Sequence, residues 1–312
     1  MLFSEFTHYL DKLEQISSKN EMVKILSELI LSLDEGEISR ALYLSLGQLG
    51  PLYDSILFNM SDKLIIQAIS EYSGVNEENI SGKLSNIGDA GLVSAEYANS
   101  NGGSGMNILE VFDALKDIAM AHGEGSVKEK INKTASLMKP MSEAESKYVV
   151  RIILERLRMG IAEATIMDAL SWAKTESKSD RKIIESAFNV YPDIGYIAET
   201  YMKEGVEGMT SVNISPGIPI RPAQSERLPT PEKIIDKLEQ FAIEPKMDGF
   251  RAQIHVWGSG QDRTARIFSR NLNETTEMFP EIIEAIKLLP IESGIFDSEA
   301  IAYNPETGEF LP

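Results

Sequence analysis

The chain has 312 residues, of which 43% are hydrophobic and 25% charged, the balance of a folded globular protein long enough for two cores. It has no cysteine, which excludes disulfides and thiolate metal sites, and its three histidines, His8, His122 and His255, lie too far apart for a local metal motif. The formal charge of −18 argues against a nucleic-acid partner, yet residues 128–182 hold 12 Lys and Arg against 8 Asp and Glu, a local +4 that leaves −22 for the remainder. Residues 1–10 lack the basic start and apolar run of a signal peptide, and no stretch reaches the ~18 apolar residues of a membrane span, so a cytoplasmic protein with no membrane partner is expected.

From Met1 to about Gly205 apolar residues recur at helical spacing, as in Phe3, Phe6, Leu10 and Leu13, then Val23, Leu26, Leu29, Ile30 and Leu33. Ser126 with Glu129 and Ser142 with Glu145 carry the Ser-x-x-Glu spacing of a capping box, in which two side chains satisfy orphan N–H groups reciprocally. The second of these predicts a helix from Ser142 to Arg158, ended by Gly160. The run Ser100-Asn-Gly-Gly-Ser-Gly105 interrupts the helical pattern and predicts a flexible surface loop; no strand precedes it, so it is not read as a phosphate cradle. The expected architecture of residues 1–207 is all-α.

At 208–230 the texture changes. Pro216, Pro219, Pro222 and Pro229 cannot sit inside helices, and they mark an extended connection between domains. Beyond it, Phe241-Ala-Ile-Glu244 and Ala252-Gln-Ile-His-Val-Trp257 read as strands, Gly258-Ser-Gly260 as a turn, and residues 265–269 as a returning strand. Residues 276–289 read as helical and 294–303 as a further strand before a turn at Asn304-Pro305. Residues 231–312 are therefore expected to be α/β with a largely antiparallel sheet.

The segment Glu244-Pro-Lys-Met-Asp-Gly-Phe-Arg251 sets a lysine, an acid, a glycine and an arginine between two predicted strands. These types suit covalent capture of a nucleotide. A lysine amine attacks phosphorus only when unprotonated, so nearby cations or desolvation must favour the neutral form, and Arg251 could supply that field while holding phosphates. Gly249 would allow a close backbone approach or a positive φ. Taken alone, the four types also describe a β-turn with surface charge, and that reading is the commoner.

The stretch Lys246-Met-Asp-Gly-Phe-Arg251 resembles motif I of the nucleotidyltransferases that include DNA ligases, RNA ligases and capping enzymes. Phe268-Ser-Arg-Asn-Leu272 is similar to the segment that follows in ATP-dependent DNA ligases, and Phe296-Asp-Ser-Glu-Ala-Ile-Ala302 resembles their motif III. Gly123-Glu-Gly-Ser126 and Arg156-Leu-Arg-Met-Gly-Ile-Ala-Glu-Ala-Thr165 look like the DNA-binding domain of archaeal and eukaryotic replicative ligases. The resemblance implies an all-α DNA-binding domain over residues 1–207, a Pro-rich linker over 208–230, and part of an adenylation domain over 231–312. It implies that Lys246 takes AMP from ATP, with Glu244 at the adenine, Arg251 at the ribose and phosphates, Arg270 near the nucleotide, and Glu299 at the ribose or a divalent cation. Asp248 would order the loop. Mg²⁺ is the expected metal, because it takes oxygen ligands and neutralises phosphate charge.

The implied partner is nicked double-stranded DNA, with a sliding clamp left open. A small-residue turn at Gly125 and Ser126 running into a helix would offer backbone N–H groups to a phosphate, although an ordinary helix start looks the same. Arg156 and Arg158 would contact phosphates, although a helix C-terminus also favours cations. RNA ligases and capping enzymes share the lysine motif but are not expected to carry such a helical domain, and the upstream region does not look like that of NAD⁺-dependent ligases. The chain ends before a second metal-binding carboxylate, a later lysine motif and an OB-fold domain. DNA binding with weak or absent ligation is therefore expected, with a non-catalytic DNA-binding fragment as the alternative.

Overall fold

Periodic apolar residues in the first two hundred positions can be buried together only if several short helices pack on one another. The computed structural model describes residues 1–99, 102–223 and 225–311, and it contains such a bundle. Its helices are α1 (Phe3–Glu14), α2 (Lys19–Leu31), α3 (Glu37–Ser45), α4 (Asp62–Ser73), α5 (Glu77–Ile87), α6 (Ala90–Ala95), α7 (Ile108–Met120), α8 (Ser126–Met138), α9 (Glu143–Ile153), α10 (Glu163–Thr175), α11 (Arg181–Val190) and α12 (Ile194–Ser211). The residues that set the helical period line the core: Phe3, Phe6, Leu10, Leu13, Leu26 and Leu29 are fully buried. Each such side chain contributes roughly 1.5–3 kcal/mol on leaving water. Contacts divide the chain into two compact units, one of Met1–Phe188 with Pro192–Val212, the other of Asn189–Tyr191 with the residues from Asn213 onward.

Polar side chains tie the bundle together as well. On α9, Lys147 and Arg151 lie one turn apart and reach Asp11 and Glu14 of α1, while Arg151 also grips Asp89 at the start of α6. The buried Tyr148 hydroxyl donates to Asp11 and Glu14 at 2.8 and 2.9 Å. Burial opposes ionisation of Glu14, but the hydrogen bonds from Arg151, Lys147 and Tyr148 bring its pKa down to about 2.

Several sequence expectations change here. The capping box at Ser142 forms, with Glu145 returning the bond at 2.8 Å. The one at Ser126 does not, because α8 is already helical there and Gly125 (φ +81°) is the N-cap, with no side-chain cap bond. Helix α9 stops at Ile153, five residues before Arg158, since Glu155 turns left-handed (φ +54°). Of the predicted flexible loop, Ser100 and Asn101 lie outside the described residues. Its later part is tied down, with the Ser104 N–H and hydroxyl donating to the fully buried Glu145 carboxylate at 2.9 and 2.7 Å.

The second unit holds α13 (Pro231–Lys237), α14 (Pro280–Lys287) and a three-stranded antiparallel sheet of β1 (Phe250–Trp257), β2 (Thr264–Phe268) and β3 (Ser293–Ala300), in the order β2-β1-β3. Strand alternation assigns the two faces. Ala252 and Ile254 of β1 with Ile267 of β2 make a small core against Phe279, Ile282, Ile283 and Ile286. The opposite face of β1 carries Arg251, Gln253 and His255. Residues 241–244, expected as a strand, have no regular structure and are exposed, because β1 already pairs on both edges, with β2 and β3. The predicted helix at 276–289 is a 3-10 turn at Thr276–Met278 followed by α14, which starts where Pro280 can occupy the first turn.

Candidate functional site

Antiparallel pairing decides which residues meet. Phe250 faces Ala300 and Gln253 faces Phe268, so β1 begins where β2 and β3 end. Lys246 lies in the irregular segment that enters β1, exposed together with Glu244 and Asp248. Arg270 is exposed in the turn leaving β2, and Glu299, cross-strand partner of Arg251, is exposed near the end of β3. The topology thus brings Lys246, Arg251, Arg270 and Glu299 to one end of the sheet.

Gly249 fastens the Lys246 segment there. Its N–H donates to Glu299 Oε1 at 3.1 Å, and a Cβ on it would lie 2.5 Å from the Ala300 carbonyl oxygen. The glycine is required by close backbone approach; its φ is not positive, so the left-handed alternative fails. Arg251 is held as well: Nε and Nη2 donate to the two Asp297 oxygens at 2.8 and 2.7 Å. Its charge is therefore largely offset locally, which weakens its expected role as a field acting on Lys246.

Further along the same face the proline-rich segment lies across the sheet. The Gly217 N–H donates to His255 Nδ1 at 3.0 Å, and His255 Nε2 lies 2.9 Å from Gln253 Oε1. Gln253 in turn exchanges two bonds with the Ile220 backbone, at 2.7 and 3.0 Å. A ring that accepts at Nδ1 is a neutral imidazole protonated at Nε2. Burial pushes the His255 pKa down to about 4. Between this strap and strands β1 and β3 runs a groove of about 590 Å³, walled by Pro216, Ile220, Arg221, Arg251, Gly294 and Asp297 among others.

In the helical unit, Gly123 (φ +89°) and Gly125 (φ +81°) bring the chain into α8 with nothing within 4 Å of where their side chains would be. The first-turn N–H groups of α8 thus lack a side-chain cap at an open surface. Beyond α9, Leu157 and Met159 are buried while Arg156 and Arg158 alternate with them and are exposed. Arg156 bonds Asp62, the first residue of α4, at 2.8 and 2.9 Å.

Both units match known families. The family described as DNA ligase N terminus matches residues 2–171, and the one described as ATP dependent DNA ligase domain matches residues 222–312. A probable DNA ligase of Dictyoglomus thermophilum is 42% identical over the whole chain, which covers 53% of that protein. DNA ligase of Sulfurisphaera tokodaii is 37% identical over the whole chain, covering 54% of its length, and DNA ligase 2 of Korarchaeum cryptofilum is 34% identical, covering 53%. The chain belongs to the ATP-dependent DNA ligases. It spans about half the length of the curated ligases it matches.

The ligase-family segments contain every residue singled out in the sequence, Gly125, Ser126, Arg156 and Arg158 in the first and Glu244, Lys246, Arg251, Arg270 and Glu299 in the second. Sequence reasoning missed Asp297, Gln253, His255 and Asp62. Strand period alone could have found the first three: alternation from Arg251 puts Gln253 and His255 on its face, and alternation from Glu299 does the same for Asp297. No local signal leads to Asp62, which is 94 residues from its partner.

Proposed function

We propose that the second unit captures AMP from ATP on Lys246 and that the helical unit grips duplex DNA at a nick. The convergence of Lys246, Arg251, Arg270 and Glu299 at one end of an antiparallel sheet carries this reading. The amine nitrogen of Lys246 gives up its proton and bonds to the α-phosphorus of ATP; the bond from that phosphorus to the bridging oxygen breaks, and pyrophosphate leaves. Arg251 meets the nucleotide through Nη1, its other edge being held by Asp297, while Arg270 offers a second cation. Glu244 lies two residues before the nucleophile, on the adenine side.

Mg²⁺ binds through one or two carboxylates with phosphate oxygens and waters. Glu299 fits that mode, since Gly249 occupies only one of its oxygens, and the ion would neutralise phosphate charge. Among the described residues no three acidic, His or Cys side chains cluster at a metal-binding spacing. In a protein of its relatives' length, AMP would pass to the 5′-phosphate of the nick and be displaced by the 3′-hydroxyl, steps governed by positioning and charge stabilisation.

The test is incubation with Mg²⁺ and ATP labelled at the α-phosphate. Label retained on the denatured protein and lost in Lys246→Ala supports the reading, whereas undiminished label in the variant refutes the assignment of Lys246. For the helical unit, a nicked duplex should shift on a gel at low salt and less at high salt.

A further inference from the structure

The exposed Arg156–Asp62 pair differs in geometry from the other arginine pair described above. Arg251 spends its Nε–Nη2 edge on Asp297, the two-pronged grip that matches a carboxylate. Arg156 gives only Nη1 to Asp62, which takes both contacts on its two oxygens at 2.8 and 2.9 Å. The Nε–Nη2 edge of Arg156, the edge that matches a phosphate, has no partner among the described residues.

The backbone beneath Arg156 is fixed too. Its N–H donates to the Arg151 carbonyl at 2.8 Å. Its neighbours Glu155 (φ +54°) and Arg158 (φ +51°) hold left-handed conformations that must be imposed by their surroundings. Leu157 and Met159 supply that anchoring, buried to 6% and 7% exposure. An arginine that is exposed, immobilised at both ends and open along its fork has already lost the rotamer freedom that phosphate binding would otherwise cost.

We propose that Asp62 is a positioning residue for DNA, holding Arg156 by Nη1 so that its Nε–Nη2 edge meets a backbone phosphate. This rests on the reading of the helical unit as DNA-binding. Asp62 also carries a negative charge that repels the same phosphate, so removing it has two opposed effects. Two neutral replacements separate them: Asp62→Asn keeps an oxygen acceptor for Nη1, and Asp62→Ala does not, while the charge lost is the same.

The experiment measures binding of a nicked duplex oligonucleotide by the full chain, using fluorescence anisotropy at low salt and thermal melts to verify folding. Asp62→Ala should bind about two- to tenfold more weakly than Asp62→Asn, the range of one neutral hydrogen bond. In an Arg156→Ala background the two should bind alike. Equal or tighter binding by Asp62→Ala, or a difference that persists without Arg156, overturns the proposal while leaving DNA binding intact. Absence of binding by the unsubstituted chain overturns the DNA-binding reading itself and this proposal with it.

Discussion

A methyl group on Gly249 would lie 2.5 Å from the Ala300 carbonyl oxygen and 2.8 Å from the Ile301 side chain. The Ala300 carbonyl cannot move without disturbing the end of the β1–β3 ladder, so Gly249→Ala should cost about 1–3 kcal/mol, the range for overpacking. Urea unfolding followed by Trp257 fluorescence, in a Trp172→Phe background, measures it; an unchanged midpoint would show that the strand end yields freely. The residue type at 249 is plain from the sequence, and so is the setting of Lys246, proposed as the nucleophile, beside an acid and an arginine. What the glycine is close to is not, because Ala300 lies 51 residues further along the chain and only strand pairing brings it near. Arg251 has the same history: its type suggests a phosphate ligand, while its ion pair with Asp297 depends on the diagonal between two strands.

At the scale of elements, a chain of bonds through His255 and Gln253 ties the strap of residues 213–223 to β1. The imidazole must stay neutral to accept from Gly217, and burial lowers its pKa from 6.5 to about 4. Between those values the unfolded chain binds the proton and the folded one does not. The contribution is therefore complete above about pH 6.5 and lost as the pH falls towards 4, amounting to about 3 kcal/mol. Denaturant midpoints at pH 7 and pH 5 should differ more for the unsubstituted chain than for His255→Asn; equal differences would remove the histidine from the account. Local signals at this scale succeeded when they concerned one turn of backbone. The capping box at Ser142 formed as its spacing predicted, whereas at Ser126 the two glycines ahead of it started the helix a residue early, so a spacing rule met a conformational one and lost.

Across the whole molecule, the excess of cations in residues 128–182 turns out to be mostly spent. Lys133 pairs with Asp117 and Glu129, Lys147 and Arg151 with Asp11, Glu14 and Asp89, Arg156 with Asp62, and Lys178 and Arg181 with Asp168. Lys130 is buried with its ammonium on the Phe58 carbonyl. On the DNA-binding reading proposed above, the attraction to DNA falls to the open edge of Arg156 and to exposed cations such as Arg158. Arg158→Ala should lower the slope of log affinity against log salt by about 0.9, one phosphate contact, in a salt series with a nicked duplex; an unchanged slope would take Arg158 off the interface. Among the described residues no helix is long and apolar enough to cross a membrane. By itself the sequence determined the helical bundle, the antiparallel sheet after the prolines and the place of the candidate lysine just ahead of that sheet, because period, proline and residue type act over a few residues. Only the tertiary structure decided which charges stay open and which are cancelled, and which backbones must touch, because those partners lie tens to more than a hundred residues apart and meet only when the core closes.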